Sequence, residues 1–181
     1  MRWVVCLIGF AGLAAAGAAR AGLPAGHVAP GFTAPATLGG KEFSFSLSEA
    51  LKQGPVVLYF YPAAFTSGCT EEAHEFASAI DRYKALGASV VGVSGDDITT
   101  LDKFSVSECQ SKFPLVADAD RKIMKAYDSV LVPLTSYASR TSYVITPDDR
   151  VLYSYTALSP EQHVTNTYNV LAAWRAQHPT E

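Results

Sequence analysis

Two largely apolar runs constrain this chain more than anything else in it. Val56-Val57-Leu58-Tyr59-Phe60 and Ala88-Ser89-Val90-Val91-Gly92-Val93-Ser94 are short and rich in β-branched residues, the pattern of strands buried on both faces. Between them Ala73, Phe76, Ala77, Ile80, Tyr83 and Leu86 recur at helical spacing, and Gly87 stops the element. A strand, a helix of about twenty residues and a second strand form a βαβ unit, and such a crossover pairs its strands in parallel.

The rest of the chain is arranged around that unit. Residues 22–40, rich in Gly, Ala and Pro, read as an irregular lead-in, and Lys41 to Leu47 alternates as a short half-exposed strand. Ser48 opens a brief helix to Lys52, and an acid after Gly95 caps a helix from Ile98 to about Gln110. Phe113 to Ala117 is extended, Asp118 to Asp128 holds a helical turn or two, and Ser129 to Ser139 reads as a long loop. Thr141–Ile145 and Arg150–Tyr155 flank the turn Thr146-Pro147-Asp148-Asp149 as a hairpin. Ser159-Pro160-Glu161 opens a last helix whose apolar face carries Val164, Val170, Leu171 and Trp174. This order predicts an α/β, thioredoxin-like fold: a central mixed β-sheet flanked by helices.

The N-terminus has a different character. Arg2 precedes an apolar run from Trp3 to Ala19, and Ala19-Arg20-Ala21 supplies a small-x-small site, so residues 1–21 read as a cleaved signal peptide. An uncleaved membrane anchor is the alternative, since the run nearly spans a bilayer. The expectation is an exported protein, in a bacterial periplasm, without stable membrane association after cleavage. Residues 22–181 then form one domain. The formal net charge of −3 and the absence of a basic block argue against nucleic acid as a partner.

Of the three cysteines, Cys6 falls in the leader, which leaves Cys69 and Cys109 in the domain. Cys69 follows the first core strand and stands in the first turn of the helix, where unpaired N–H groups and the helix dipole favour an anion such as a thiolate. Thr66, three residues earlier, can turn its hydroxyl toward whatever the sulfur attacks. Pro62 ends the strand with a fixed φ and no N–H, shaping the wall of a shallow pocket. Glu72 lies on the same helix face as Cys69 and would oppose a thiolate unless a cation stood between them. Arg140, ahead of the hairpin, can supply that cation, since its planar fork stays charged and bonds several acceptors at once.

These residues resemble a known family. Pro62-x-x-x-Thr66-x-x-Cys69 is similar to the peroxiredoxin active-site motif, and the string from Val57 to Pro62 followed by Gly68-Cys69-Thr70-Glu71-Glu72 resembles its bacterioferritin-comigratory (PrxQ) branch. Val91–Ser94, Phe113–Asp118 and Arg140–Ile145 match later landmarks in order. The resemblance implies reduction of hydrogen peroxide and organic hydroperoxides, with peroxide and a thioredoxin-like or small-thiol reductant as partners and no cofactor or metal. Cys69 would be the peroxidatic cysteine, oxidised to a sulfenic acid. Thr66 and the Cys69 N–H would hold the peroxide, and Arg140 would stabilise the developing charge, supported by Glu72. A monomer or weak dimer is compatible with it.

One departure stands out. Many members of the branch carry a resolving cysteine at the position occupied here by His74, which reads as a surface helix residue. Cys109 is the other candidate to resolve the sulfenic acid as an intramolecular disulfide. A buried free thiol, or a one-cysteine mechanism with an external thiol, stays open beside it. His163 and His178 read as residues in or after an exposed helix. Two further readings remain: an exported thiol–disulfide oxidoreductase, which lacks the expected Cys-x-x-Cys, and a copper-binding module using Cys69, His74 and Cys109.

Overall fold

The computed structural model describes residues 22–132 and 137–179. The expected leader over residues 1–21 lies outside them, as does part of the loop read over 129–139. Twelve elements follow in order: β1 Thr33–Leu38, β2 Lys41–Ser46, α1 Leu47–Leu51, β3 Val56–Phe60, α2 Ser67–Ala85, β4 Ser89–Ser94, α3 Ile98–Ser107, β5 Leu115–Ala117, α4 Lys122–Ala126, β6 Thr141–Ile145, β7 Val151–Thr156 and α5 His163–Gln177.

The strands form one sheet in the order β2-β1-β5-β4-β3-β6-β7. β3 pairs in parallel with β4, and β4 with β5, while β6 lies antiparallel against β3 and β7 antiparallel against β6. The predicted βαβ unit and hairpin are therefore both present, in the mixed, helix-flanked sheet expected. All five residues of β3 are buried, which is why its sequence is an unbroken apolar run. Alternate residues of β3 feed two cores. Val57 and Tyr59 join Phe76, Tyr83 and Phe104 on the α2 side; Val56, Leu58 and Phe60 join Leu51, Met124 and Tyr127 on the other. Gly92 on β4 makes room for this packing, since a Cβ there would stand 2.9 Å from the Tyr59 ring. Among the described residues no helix is long and apolar enough to cross a membrane.

Three element boundaries differ from the expectation. The lead-in is not irregular throughout: Thr33–Leu38 is a strand paired with both β2 and β5. Pro35 hides it, because proline is disfavoured within sheets; here the β5 ladder involves only Ala36 and Thr37, so Pro35 stands outside it. α3 ends at Ser107 rather than near Gln110, because Gln110 and Ser111 adopt positive φ (51° and 56°) and turn the chain. α5 begins at His163, after a turn in which the His163 N–H donates to Pro160 O at 3.1 Å, rather than at Pro160.

Candidate active site

The site is built where β3 gives way to α2. Phe65 adopts φ 64°, a left-handed conformation uncommon for a bulky residue. Its ring meets Phe104 of α3 edge-on at 5.1 Å. Asp96, two residues past β4, accepts the Ala64 N–H at 2.8 Å and the Ser94 hydroxyl at 2.9 Å, tying the loop to the neighbouring parallel strand. Thr66 follows as the N-cap residue of α2, extended at φ −77° and ψ 149°, with its hydroxyl donating to Ala63 O at 3.0 Å. The first intrahelical bond runs from Thr70 N–H to Thr66 O, so the amides of Ser67, Gly68 and Cys69 precede it at the positive end of the helix dipole.

Cys69 is a buried free cysteine in that first turn. Arg140, only 4% exposed, reaches it from the segment before β6. Each guanidinium nitrogen has its own acceptor. Nη2 donates to Cys69 Sγ at 3.4 Å, Nη1 donates to Glu72 Oε2 in a short contact, and Nε donates to Leu158 O at 2.8 Å. Gly68 makes the approach feasible, since a Cβ at that position would lie 3.1 Å from Arg140 Nη2. Glu72 is fully buried. Burial raises its carboxyl to about 8 even though Arg140 pulls it down. Burial also works against the charge on Arg140, but Glu72 and the Cys69 sulfur restore it and the guanidinium stays protonated.

The structure thus brings Cys69, Thr66, Arg140 and Glu72 to one place, with Pro62 at the bend leading into it. It does not bring His74 there. His74 is exposed on α2 and its Nε2 meets Glu108 Oε2 at 2.9 Å. Cys109 lies past the end of α3, fully buried in the same core cluster as Cys69 and the rings of Tyr59 and Tyr61. Burial, reinforced by Glu108, pushes its thiol well above the ordinary range. Cys69, His74 and Cys109 do not converge, and among the described residues no three His, Cys, Asp or Glu side chains could hold a metal ion.

Sequence reasoning missed two contributors. Asp96 was unremarkable as a loop acid. His163, read as exposed, is fully buried, with Nδ1 2.8 Å from Ser142 Oγ, Nε2 3.0 Å from Ala157 O and Nδ1 3.7 Å from Glu72 Oε1. A signal for it was present: residues 163, 167 and 171 share one helix face, and all three are buried.

Residues 25–154 match the AhpC/TSA family. The chain belongs to that family, in its peroxiredoxin Q branch. It is 35% identical over 147 residues to chloroplastic peroxiredoxin Q of Triticum aestivum, a match covering 81% of this chain and 65% of the wheat protein, just short of two thirds of its length. The crystal structure of peroxidoxin BcpB from Mycobacterium tuberculosis superposes with a TM-score of 0.76 at 30% identity, over 83% of this chain and 97% of the other. Peroxiredoxin Q of Xanthomonas campestris gives a TM-score of 0.68 at 26% identity, over 77% and 89%. The expectation of an exported, periplasmic location is corrected by these relatives, since the matching curated peroxiredoxin Q proteins of wheat, rice and Arabidopsis thaliana are chloroplastic. Targeting segments are read by receptors and are not part of the fold, so an apolar leader alone was too little to name a compartment.

Proposed function

We propose that this peroxiredoxin Q-branch chain is a thiol-dependent peroxidase acting on hydrogen peroxide and organic hydroperoxides. The observation that carries the reading is Arg140 Nη2 at 3.4 Å from the buried Cys69 sulfur, in the first turn of α2. A guanidinium beside a sulfur at the positive end of a helix favours the thiolate, and the thiolate is the nucleophile. Cys69 attacks the terminal peroxide oxygen; an S–O bond forms, the O–O bond breaks, and the departing oxygen takes a proton and leaves as water or alcohol. Sulfur is oxidised to the sulfenic acid and the peroxide is reduced. Thr66 and the free amides of the first turn hold the peroxide, Pro62 shapes the loop, and Arg140, backed by Glu72, stabilises charge on the breaking O–O bond.

Cys109 resolves the sulfenic acid. Its thiolate attacks the Cys69 sulfur, water leaves, and the resulting disulfide is reduced by a thioredoxin-like or small thiol. In the reduced fold Cys109 is a core thiol, so this step requires the 108–112 segment to open. Supporting that reading, Gln110 and Ser111 both hold left-handed backbone, which costs roughly 1–2 kcal/mol per residue and is relieved on opening.

The test is peroxide consumption with dithiothreitol or thioredoxin, comparing wild type with Cys69→Ser. Full turnover by Cys69→Ser refutes the proposal. Turnover lost with thioredoxin but kept with dithiothreitol in Cys109→Ser supports the resolving role.

A further inference from the structure

The fully buried His163 is not needed by the chemistry above, yet two of its ring contacts, Glu72 and the Ala157 carbonyl next to Leu158, are at or beside groups that hold Arg140. The ring has two hydrogen-bonding nitrogens with different neighbours. Nε2 faces the Ala157 carbonyl at 3.0 Å, which can only accept, so Nε2 carries the proton. Nδ1 is then the acceptor, and Ser142 Oγ donates to it at 2.8 Å. Burial, with Arg140 nearby, lowers His163 to about 4, although the Ala157 carbonyl favours the charged ring; the imidazole is therefore neutral through the physiological range.

Ala157 is the residue before Leu158, whose carbonyl accepts Arg140 Nε–H at 2.8 Å. The Ala157 N–H in turn donates to Arg140 O at 3.3 Å. His163 thus pins the peptide immediately before the one whose carbonyl receives the guanidinium. Leu158 itself is 71% exposed, so its side chain does little to hold that peptide in place. On the other flank, Glu72 Oε1 is buried without a hydrogen-bond partner and faces His163 Nδ1 at 3.7 Å. The imidazole closes that side of the carboxyl and leaves Oε2 to receive Arg140 Nη1. Tyr155 of β7 packs edge-on against the imidazole at 4.8 Å, fixing its plane. Glu72 from α2, Arg140 ahead of β6, Ser142 on β6 and Tyr155 on β7 surround the ring, and on α5 itself the Thr167 hydroxyl donates to the His163 carbonyl at 2.6 Å.

We propose that His163 is a positioning residue for the peroxide-reducing centre: by bracing the Ala157 carbonyl, next to the Leu158 carbonyl that receives Arg140, and by backing Glu72, it keeps the third nitrogen of Arg140 aimed at the Cys69 sulfur. It touches neither sulfur nor peroxide and acts through Arg140. The role rests on the peroxidase reading for its purpose, but the arrangement of Arg140 and Cys69 can be tested without peroxide.

The experiment is the pH profile of Cys69 alkylation by iodoacetamide, mapped to the Cys69 peptide, in wild type, His163→Leu, His163→Gln and Ser142→Ala, alongside the second-order rate with hydrogen peroxide. In folded His163→Leu the alkylation midpoint moves to higher pH and the peroxide rate falls on the order of 10- to 100-fold, the penalty of a misplaced catalytic group. His163→Gln, which keeps an N–H donor for the Ala157 carbonyl, recovers part of both, and Ser142→Ala shows a smaller shift in the same direction. Midpoint and rate at wild-type values in folded His163→Leu overturn the proposal. If His163→Leu does not fold, wild-type values in both His163→Gln and Ser142→Ala overturn it equally. A lowered melting temperature with an unmoved midpoint marks a merely structural histidine and also overturns it. Failure of the peroxidase reading is distinguishable: wild type then consumes no peroxide, whatever the alkylation profile does.

Discussion

Arg140 and Cys69 are joined by a single guanidinium nitrogen, Nη2 at 3.4 Å from Sγ, while the other two nitrogens are held by Glu72 and the Leu158 carbonyl. Two fixed bonds define the plane of the fork, and the third is left for chemistry. Arg140→Lys should fail despite keeping the charge, because an ammonium is a point charge that cannot span three acceptors. We expect its peroxide rate to fall by about 10²- to 10³-fold, the usual cost of losing one preorganised donor. Competition kinetics against a peroxidase of known rate measures this.

Gly68 separates activity from stability. An added Cβ would stand 3.1 Å from Arg140 Nη2 and displace the guanidinium from the sulfur. Alanine is also the better helix former, by up to about 1 kcal/mol within a helix. Gly68→Ala should therefore unfold no more readily than wild type while reducing peroxide roughly tenfold more slowly, given how steeply rate depends on placement. Urea unfolding and stopped-flow oxidation, run on the same preparation, check both halves.

The buried Glu72–Arg140 pair makes its own demand on stability. Removing Glu72 leaves the buried Arg140 guanidinium without its Nη1 acceptor, and an unsatisfied buried group costs about 1–3 kcal/mol, more when it is charged. Glu72→Ala should lose stability in that range, and Glu72→Gln, which keeps an acceptor for Nη1, should lose less. Chemical denaturation in urea gives the comparison.

Acid should weaken the fold through His163. Its pKa in the folded protein is about 4 because of burial, below the ordinary value of 6.5. The unfolded chain therefore binds the proton first, and stability present above about pH 6.5 is lost as pH falls toward 4. Denaturation midpoints for wild type and His163→Gln should converge as pH falls across that window, since the variant lacks the titrating ring.

Much of this was legible in the chain because strong local signals agreed. Val56–Phe60 and Val90–Val93 carry no polar side-chain group beyond the Tyr59 hydroxyl since both faces of the sheet are covered, and the spacing from Ala73 to Tyr83 follows the buried face of α2. Pro62, Thr66 and Cys69 sit within eight consecutive residues, so their proximity needed no tertiary knowledge. Glu72 was legible as a partner for Arg140, though not as a fully buried one. What stayed hidden depends on distant chain returning to the site. The Leu158 carbonyl that fixes Arg140 is backbone and carries no sequence signature. His163 was misread because polarity at the start of a helix suggests solvent, whereas α5 packs this end against α2 and β6. β1 was masked by Pro35, and the early end of α3, which leaves Cys109 beyond the helix, came from left-handed turns at Gln110 and Ser111 that these residue types do not announce.

The central claim is that the Cys69 sulfur is what peroxide oxidises, and one mass measurement tests it most directly. Cys109→Ser is treated with one equivalent of hydrogen peroxide in the presence of dimedone, and the modified residue is mapped. The account predicts a single dimedone adduct, on Cys69, formed within the dead time of manual mixing and absent when Arg140 is replaced by methionine under the same brief exposure. An unmodified Cys69 with the peroxide still present, in a folded protein, would contradict it.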